Sequence, residues 1–182
     1  MKKILVLNGS PRIVGNTSCL IKEFERGAKE SGNEVQIFNL GKMNIHGCLG
    51  CFGGGKNAEC PCVQKDDMIQ IYPYFKNADV VVLASPLYYW TISGQLKMAF
   101  DRLFAVEELK REYARGNKGA ILIMAGAGNG FEESKYWFNG MLKHMEWDNL
   151  GEILVGGVHN IEDIKERTEE LQKAYEFGKS IK

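Results

Sequence analysis

Five short apolar runs constrain the fold of this chain more than any other feature. They lie at residues 4–7, 35–40, 80–84, 120–125 and 153–158. Because each run is continuous rather than alternating, it is typical of a strand that is covered on both faces. Strands covered on both faces are the rule in parallel sheets, so the runs predict a parallel sheet of five strands.

Helical patterns separate these runs. Apolar residues recur with helical spacing over 20–28, 96–104, 138–145 and 164–178. Strands that alternate with helices predict an α/β fold, a doubly wound sheet with right-handed crossovers. Since no repeat, low-complexity tract or linker interrupts the pattern, we expect a single domain over 1–182, with a Gly/Cys-rich insertion at about 46–63.

Charge and hydropathy exclude several classes of partner. The 182 residues carry 23 basic and 23 acidic side chains, scattered along the chain, which favours neither nucleic acid nor an acidic membrane surface. Four apolar residues after Lys3 are too few for a signal peptide, and no run reaches membrane-spanning length. We therefore expect a cytoplasmic protein, whose five cysteines are metal ligands, redox groups or buried thiols rather than disulfides.

The segment NGSPRIVGNTS at 8–18, between the first strand and the first helix, predicts a phosphate site. A helix N-terminus presents unpaired N–H groups and a favourable dipole to an anion. Hydroxyls of Ser10, Thr17 and Ser18, the amide of Asn16 and the guanidinium of Arg12 add donors. The spacing matches neither the nucleoside-triphosphate loop nor the dinucleotide fingerprint, which favours a small phosphomonoester. The alternative is an ordinary helix cap.

Two further loops follow predicted strands, at the edge of the sheet where such folds bind ligands. In SPLYYW at 85–90, Pro86 fixes the backbone and three aromatic rings suit a planar ligand or an oligomer interface. In GAGNG at 126–130, the glycines permit close approach of the backbone to a flat ring, or form a flexible turn. A phosphate site facing an aromatic plane fits flavin mononucleotide (FMN) well.

Several ordered motifs in the first 130 residues are shared with one known family. They are GSPR at 9–12, GNT at 15–17, KDDM at 65–68, ADV at 78–80, SPLYYW at 85–90, SGQLK at 93–97 and DR at 101–102. In this set the chain resembles the NADPH-dependent FMN reductase superfamily, and within it the iron–sulfur flavoprotein branch. The resemblance implies a flavodoxin-like sheet of order 2-1-3-4-5, FMN as cofactor, NAD(P)H as co-substrate, and a homodimer or homotetramer.

The resemblance also implies the residues that contact FMN. It assigns the phosphate to Ser10, Arg12, Asn16, Thr17 and Ser18. It assigns the isoalloxazine to Pro86, Leu87, Tyr88, Tyr89 and Trp90, with Ala125, Gly126 and Gly128 at its other edge. The flavin does the chemistry, so no catalytic acid or base is assigned, and Tyr88 and Tyr89 are expected to position a substrate.

Two groups of polar residues are expected to have structural roles only. We expect Asp66 and Asp67 to cap the helix that follows them, rather than to act as an acid–base pair. Lys97, Asp101 and Arg102 are expected on a helix surface or at an interface.

The cysteines Cys48, Cys51, Cys60 and Cys62 are the candidate metal ligands. The iron–sulfur flavoprotein pattern is C-x2-C-x2-C followed by a fourth Cys, whereas this chain has Gly54 at the third position and Cys60 as an additional thiol. Four interpretations stay open at this point: a [4Fe–4S] cluster, a redox-active or merely reduced thiol set, a structural zinc site, and a remnant without a present role.

Three hypotheses for the function follow. The first is an FMN-dependent oxidoreductase that passes electrons from NAD(P)H to a quinone, a flavin or another small acceptor. The alternative is a non-catalytic iron–sulfur flavoprotein that exchanges electrons with a redox protein partner. The third is a flavin-free regulatory domain that has kept the fold.

Overall fold

A computed structural model describes residues 1–182, and its centre is one parallel sheet in the order β2-β1-β3-β4-β5. The strands are β1 (Lys3–Asn8), β2 (Glu34–Asn39), β3 (Val80–Pro86), β4 (Gly119–Ala125) and β5 (Asp148–Val155). All four neighbouring pairs are parallel. The predicted number of strands, their direction and their order are confirmed.

Seven helices and two 3₁₀ turns connect these strands. The helices are α1 (Asn16–Glu30), α2 (Met68–Asn77), α3 (Gly94–Arg102), α4 (Phe104–Leu109), α5 (Arg111–Ala114), α6 (Glu132–Met145) and α7 (Thr168–Ser180). The 3₁₀ turns are Leu40–Lys42 and Asp163–Glu166. None of these helices is long and apolar enough to cross a membrane.

Both faces of the sheet are covered, which explains why the apolar runs are continuous. Leu5 and Leu7 of β1 pack in one core with residues of α2, α3 and α6. The intervening Ile4 and Val6 pack in a second core with α1 and α7. Because successive side chains of a strand point to opposite faces, every residue of such a strand must be apolar.

The structure moves three predicted element boundaries. Strand β5 begins at Asp148, five residues before its apolar run, because its first half is a partly exposed edge with a register shift and a left-handed Gly151 (φ 134°). The helical pattern over 96–104 ends at Arg102, and a new helix starts at Phe104. The pattern over 164–178 divides into a 3₁₀ turn and α7.

Candidate functional site

The loops after β1 and β3 are joined by Ser93, the residue that caps α3. Its hydroxyl donates to the Gly9 carbonyl at 2.8 Å and accepts from the Leu96 N–H at 3.2 Å. Its own N–H donates to the Ser85 hydroxyl at 2.8 Å. The contact is close, because a Cβ on Gly9 would lie 2.5 Å from the Ser93 Oγ. The loop after β1 (the phosphate loop, 8–18) and the loop after β3 (the aromatic loop, 85–90) are therefore held side by side.

A cavity of about 300 Å³ opens where the carboxyl ends of the central strands meet. Three of the loops that line it are the ones predicted from the sequence, and the fourth follows β5. The lining residues are Ser10, Arg12, Gly15, Asn16, Thr17, Pro86, Leu87, Tyr88, Ala125, Gly126, Ala127, Val158 and His159. The position agrees with the rule that doubly wound sheets bind ligands beyond the carboxyl ends of their strands.

One end of this cavity is suited to an anion. Helix α1 starts without a side-chain cap, and the backbone N–H groups of Asn16, Thr17 and Ser18 have no acceptor in the protein. Thr17 is buried, yet its hydroxyl makes no hydrogen bond, and the Arg12 guanidinium is exposed and unpaired. Unpaired N–H groups at a helix N-terminus beside a free guanidinium fit a phosphate group.

Three predicted phosphate contacts have other partners in this structure. The Asn16 side chain donates to the Asn160 carbonyl at 2.8 Å and accepts from the Ile164 N–H at 3.1 Å. The hydroxyls of Ser10 and Ser18 both donate to the Arg12 carbonyl, at 3.1 and 2.9 Å. These side chains shape the loop, so Asn16 and Ser18 offer an anion their backbone N–H groups.

The other end of the cavity is lined mainly by apolar residues. Pro86, Leu87 and Tyr88 line it from the loop after β3, and Ala125 and Gly126 line it from the adjacent loop after β4, where the Leu87 N–H donates to the Ala125 carbonyl at 2.8 Å. A Cβ on Gly126 would lie 2.8 Å from the Leu87 Cβ, so a larger residue at this position would push the two loops apart. These residues offer flat contacts to a planar ligand.

The rest of the aromatic loop turns away from the cavity. Tyr88 and Thr91 exchange backbone hydrogen bonds of 3.0 and 3.1 Å, which places Tyr89 (φ 46°) and Trp90 (φ 63°) in left-handed conformations. Tyr89 is 92% exposed, and Trp90 lies against Gly130, where an added Cβ would come within 2.8 Å of the ring. Neither of them, nor the predicted Gly128, lines the cavity.

The expectation that Arg102 lies on a helix surface or at an interface is wrong, because its side chain is fully buried. It lies beneath the Gly/Cys-rich segment at about 46–63, which we call the cysteine loop. It donates to both carboxylate oxygens of Asp66, at 2.6 and 3.1 Å. It also donates to the carbonyls of His46 and Gln64, at 2.9 and 3.4 Å, and to the Cys62 sulfur at 3.2 Å. One guanidinium therefore holds both ends of the loop.

Asp66 is the acidic partner of Arg102 and is itself a cap. Its carboxylate accepts from the N–H groups of Met68, as predicted for a cap, and of His46, at 3.2 and 3.0 Å. Burial opposes ionisation of Asp66, but these hydrogen bonds and Arg102 outweigh it and hold the pKa of the carboxyl below its usual value. The neighbouring Asp67 accepts from the Asn44 N–H at 2.7 Å.

The cysteines do not form a four-thiolate site. Three of them, Cys48, Cys51 and Cys62, line a cavity of about 80 Å³ between the loop and α4, whereas Cys60 lines a different depression. No three cysteine, histidine or acidic side chains converge closely enough to hold a metal ion. At Gly54, the position of the missing ligand, an added Cβ would lie 2.2 Å from Glu108 Oε2. As arranged, these residues do not fit a four-cysteine cluster.

Comparison with known proteins agrees with the geometry of the cavity. The profile of the NADPH-dependent FMN reductase family matches residues 2–155. An iron–sulfur flavoprotein of Archaeoglobus fulgidus is 33% identical over 186 residues, which cover all of this chain and 79% of the relative. An iron–sulfur flavoprotein of Methanocaldococcus jannaschii is 33% identical over 132 residues, 71% of this chain and 66% of the relative.

The fold has a counterpart among solved structures as well. An NAD(P)H:quinone oxidoreductase from Methanothermobacter marburgensis superposes with a TM-score of 0.68 at 18% identity, covering 100% of this chain and 99% of that one. This likeness shows the flavodoxin-like fold. Since the family profile covers most of the chain, the protein belongs to the NADPH-dependent FMN reductase family, an oxidoreductase family that uses FMN and NAD(P)H.

Proposed function

We propose that this chain binds FMN in the 300 Å³ cavity and passes electrons from NAD(P)H to a small acceptor such as a quinone or a free flavin. The observation that carries the proposal is the pair of unlike ends of one cavity. Unpaired N–H groups of α1 lie at one end, and the apolar contacts of Leu87, Tyr88 and Gly126 lie at the other. A phosphate joined to a flat ring system has the same two parts.

In this arrangement the phosphate lies on the N–H groups of Asn16, Thr17 and Ser18, with the hydroxyl of Thr17 and the guanidinium of Arg12. Bound FMN supplies the electron-carrying chemistry, taking up reducing equivalents from NAD(P)H and releasing them to the acceptor. The protein binds and orients the ring, and leaves one of its faces open to both substrates.

The loops after β3 and β4 have different roles in binding the ring and the substrates. Ala127 lines the cavity and its N–H has no acceptor in the chain, so it is free to donate to a ring carbonyl. Tyr88, at the cavity edge, is placed to orient an incoming substrate, and the exposed Tyr89 beyond it is available to the acceptor or to a second subunit. We propose a homodimer or homotetramer that acts in the cytoplasm, with residues 1–182 as one FMN-binding domain.

Binding of FMN and of riboflavin to the flavin-free protein tests this proposal, with flavin fluorescence as the signal. FMN carries a charged phosphate that riboflavin lacks, and hydrogen bonds to a charged group are strong. We therefore expect FMN to bind at least about tenfold more tightly than riboflavin, at one site per chain. Arg12→Ala is expected to weaken FMN binding and leave riboflavin binding unchanged. Equal affinities for the two flavins would contradict the assignment of the phosphate end.

The second candidate function is electron transfer to a protein partner, which is favoured by relatives named iron–sulfur flavoproteins at 33% identity. It requires a metal centre, whereas the four cysteines are divided between two depressions. Iron and sulfide in anaerobically purified protein, together with slow reduction by NADPH and fast reduction by a ferredoxin, would favour this function. Iron-free protein with rapid NADPH turnover would refute it.

A further inference from the structure

The loop after β5, residues 156–163, forms a wall of the FMN cavity that no sequence motif indicates. On one side it is fixed to the loop after β4 (the glycine loop, 126–130). The N–H groups of Gly157 and Val158 donate to the carbonyls of Ala127 and Gly126 at 3.2 and 3.1 Å. Gly156 packs so closely there that an added Cβ would lie 1.8 Å from the Asn129 Oδ1. The position of this loop relative to the cavity is therefore fixed.

On its other side the loop is fixed to the start of α1. The amide of Asn16 bridges the Asn160 carbonyl and the Ile164 N–H, so both of its ends are occupied. Within the loop, one carboxylate oxygen of Asp163 accepts from the N–H groups of Asn160 and His159, both at 2.8 Å. These hydrogen bonds, above all the one from the Asn160 N–H, hold the pKa of the Asp163 carboxyl below its usual value. The Asp163 carboxylate is therefore stabilised in its ionised form.

These bonds leave the imidazole of His159 as the free polar group of this wall. The backbone N–H groups of His159 and Asn160 are used within the turn, whereas neither ring nitrogen of His159 has a hydrogen-bond partner in the protein. His159 lines the same cavity as Arg12 and Thr17, whose side chains are also without polar partners. Three unpaired polar side chains from two distant segments thus border the anion end of one cavity.

We propose that His159 is a further FMN-binding residue, whose imidazole donates a hydrogen bond to the phosphate from the loop after β5. The assignment rests on the proposed function. The charged groups beside the imidazole are Arg12, which lines the same cavity, and Asp163 in its own turn, which already accepts two backbone hydrogen bonds. A phosphate dianion between Arg12 and His159 gains charge-assisted hydrogen bonds from both.

The test compares dissociation constants for FMN and riboflavin in the full-length flavin-free protein and its variants. His159→Ala is expected to weaken FMN binding about tenfold and to change riboflavin binding by less than about twofold. His159→Gln, which keeps a hydrogen-bond donor, is expected to weaken FMN binding less than His159→Ala does. The matched control is His144→Gln, because His144 contacts Arg115 on the surface and does not line the cavity.

A direct readout is the ¹⁵N spectrum of the histidine ring. We expect the His159 ring signals to shift on addition of FMN and to stay in place on addition of riboflavin. Unchanged FMN affinity in His159→Ala, or equal weakening for both flavins as a distorted loop would cause, overturns the assignment while the proposed function stands. Wild-type protein that binds neither flavin would refute the proposed function, and this assignment with it.

Discussion

At the residue scale, the most consequential side chain outside the cavity is Arg102. Its charge is fully buried, and so is that of Asp66. A buried charge is tolerated only when it is paired and hydrogen-bonded, and here one guanidinium has an acidic partner, two backbone carbonyls and a thiol. The cysteine loop is therefore organised by an ion pair beneath it, independently of any metal.

Replacing Arg102 by Gln is expected to destabilise the fold by about 3–5 kcal/mol, because the Asp66 carboxylate would remain buried without a countercharge. Urea unfolding measures the change. The control lies on the same helix: the exposed pair of Lys97 with Asp101, at 2.6 Å, is worth less than about 1 kcal/mol, so Lys97→Gln is expected to be nearly neutral. Equal effects of the two substitutions would refute the account of Arg102.

The buried Lys118 predicts a pH dependence of stability. Its ammonium donates to the Ala78 carbonyl at 2.8 Å, and burial lowers its pKa from 10.5 to about 8. Between these two values the unfolded chain binds more protons than the folded one, so stability rises as the pH increases from about 8 to 10.5. The gain is about 3 kcal/mol relative to Lys118→Met, which does not titrate. A constant difference between the two proteins in urea unfolding over this range would contradict the prediction.

Residue types and spacing predict the loop after β1 that lines the cavity, but not the partners of its side chains. The amide of Asn16 is a candidate phosphate donor in the sequence, whereas in the structure it binds the segment 144–148 residues further along the chain. The same limit applies to Arg102, whose acidic partner lies 36 residues away in the sequence. Periodicity describes local structure, and such long-range contacts arise only when distant segments meet in the fold.

At the element scale, the packing of α1 against α7 depends on two glycines. A Cβ on Gly27 would lie 2.0 Å from the Tyr175 carbonyl oxygen, and one on Gly178 would lie 2.0 Å from that of Phe24. The two helices therefore meet backbone to backbone, which closes one face of the sheet. Both neighbours are main-chain atoms and cannot rotate aside.

Gly178→Ala is expected to cost about 3 kcal/mol or more, because the helices must separate to admit the methyl group. Gly140, in the middle of α6, is the control: it is exposed and has no atom within 4 Å of an added Cβ. Gly140→Ala is expected to stabilise the protein by about 1 kcal/mol through helix propensity. Thermal or urea unfolding of the two variants should give opposite signs, and a shared sign would contradict this account of the helix contact.

Elements with a strong periodic or continuous pattern were predictable, and those shaped by their neighbours were not. Strands β1 to β4 lie within two residues of their predicted bounds, and three of them, β1, β3 and β4, are buried on both faces. The first half of β5 is mostly polar and exposed, so no apolar run in the sequence indicates a strand there. In the structure its first two residues pair with Gly119 and Ala120 of β4. Likewise, no pattern indicated that Tyr89 and Trp90 occupy a tight left-handed turn, because aromatic residues rarely do.

At the scale of the whole molecule, the sheet topology brings four loops from distant parts of the chain to one cavity. Segments 10–17, 86–88, 125–127 and 158–159 surround it, and hydrogen bonds fix the loops to one another before any ligand arrives. A preorganised cavity loses little free energy in ordering its own residues when the ligand binds. The fold therefore offers FMN a formed site.

The most direct test of the central claim is anaerobic reduction of the FMN-loaded protein. We expect NAD(P)H to bleach the visible flavin absorbance completely at one equivalent per bound FMN, and a quinone to restore it on the timescale of turnover. Arg12→Ala should lose this signal at low FMN concentration and regain it at high concentration. FMN that binds but is not reduced by either nicotinamide, or a protein that takes up no flavin, would contradict the account.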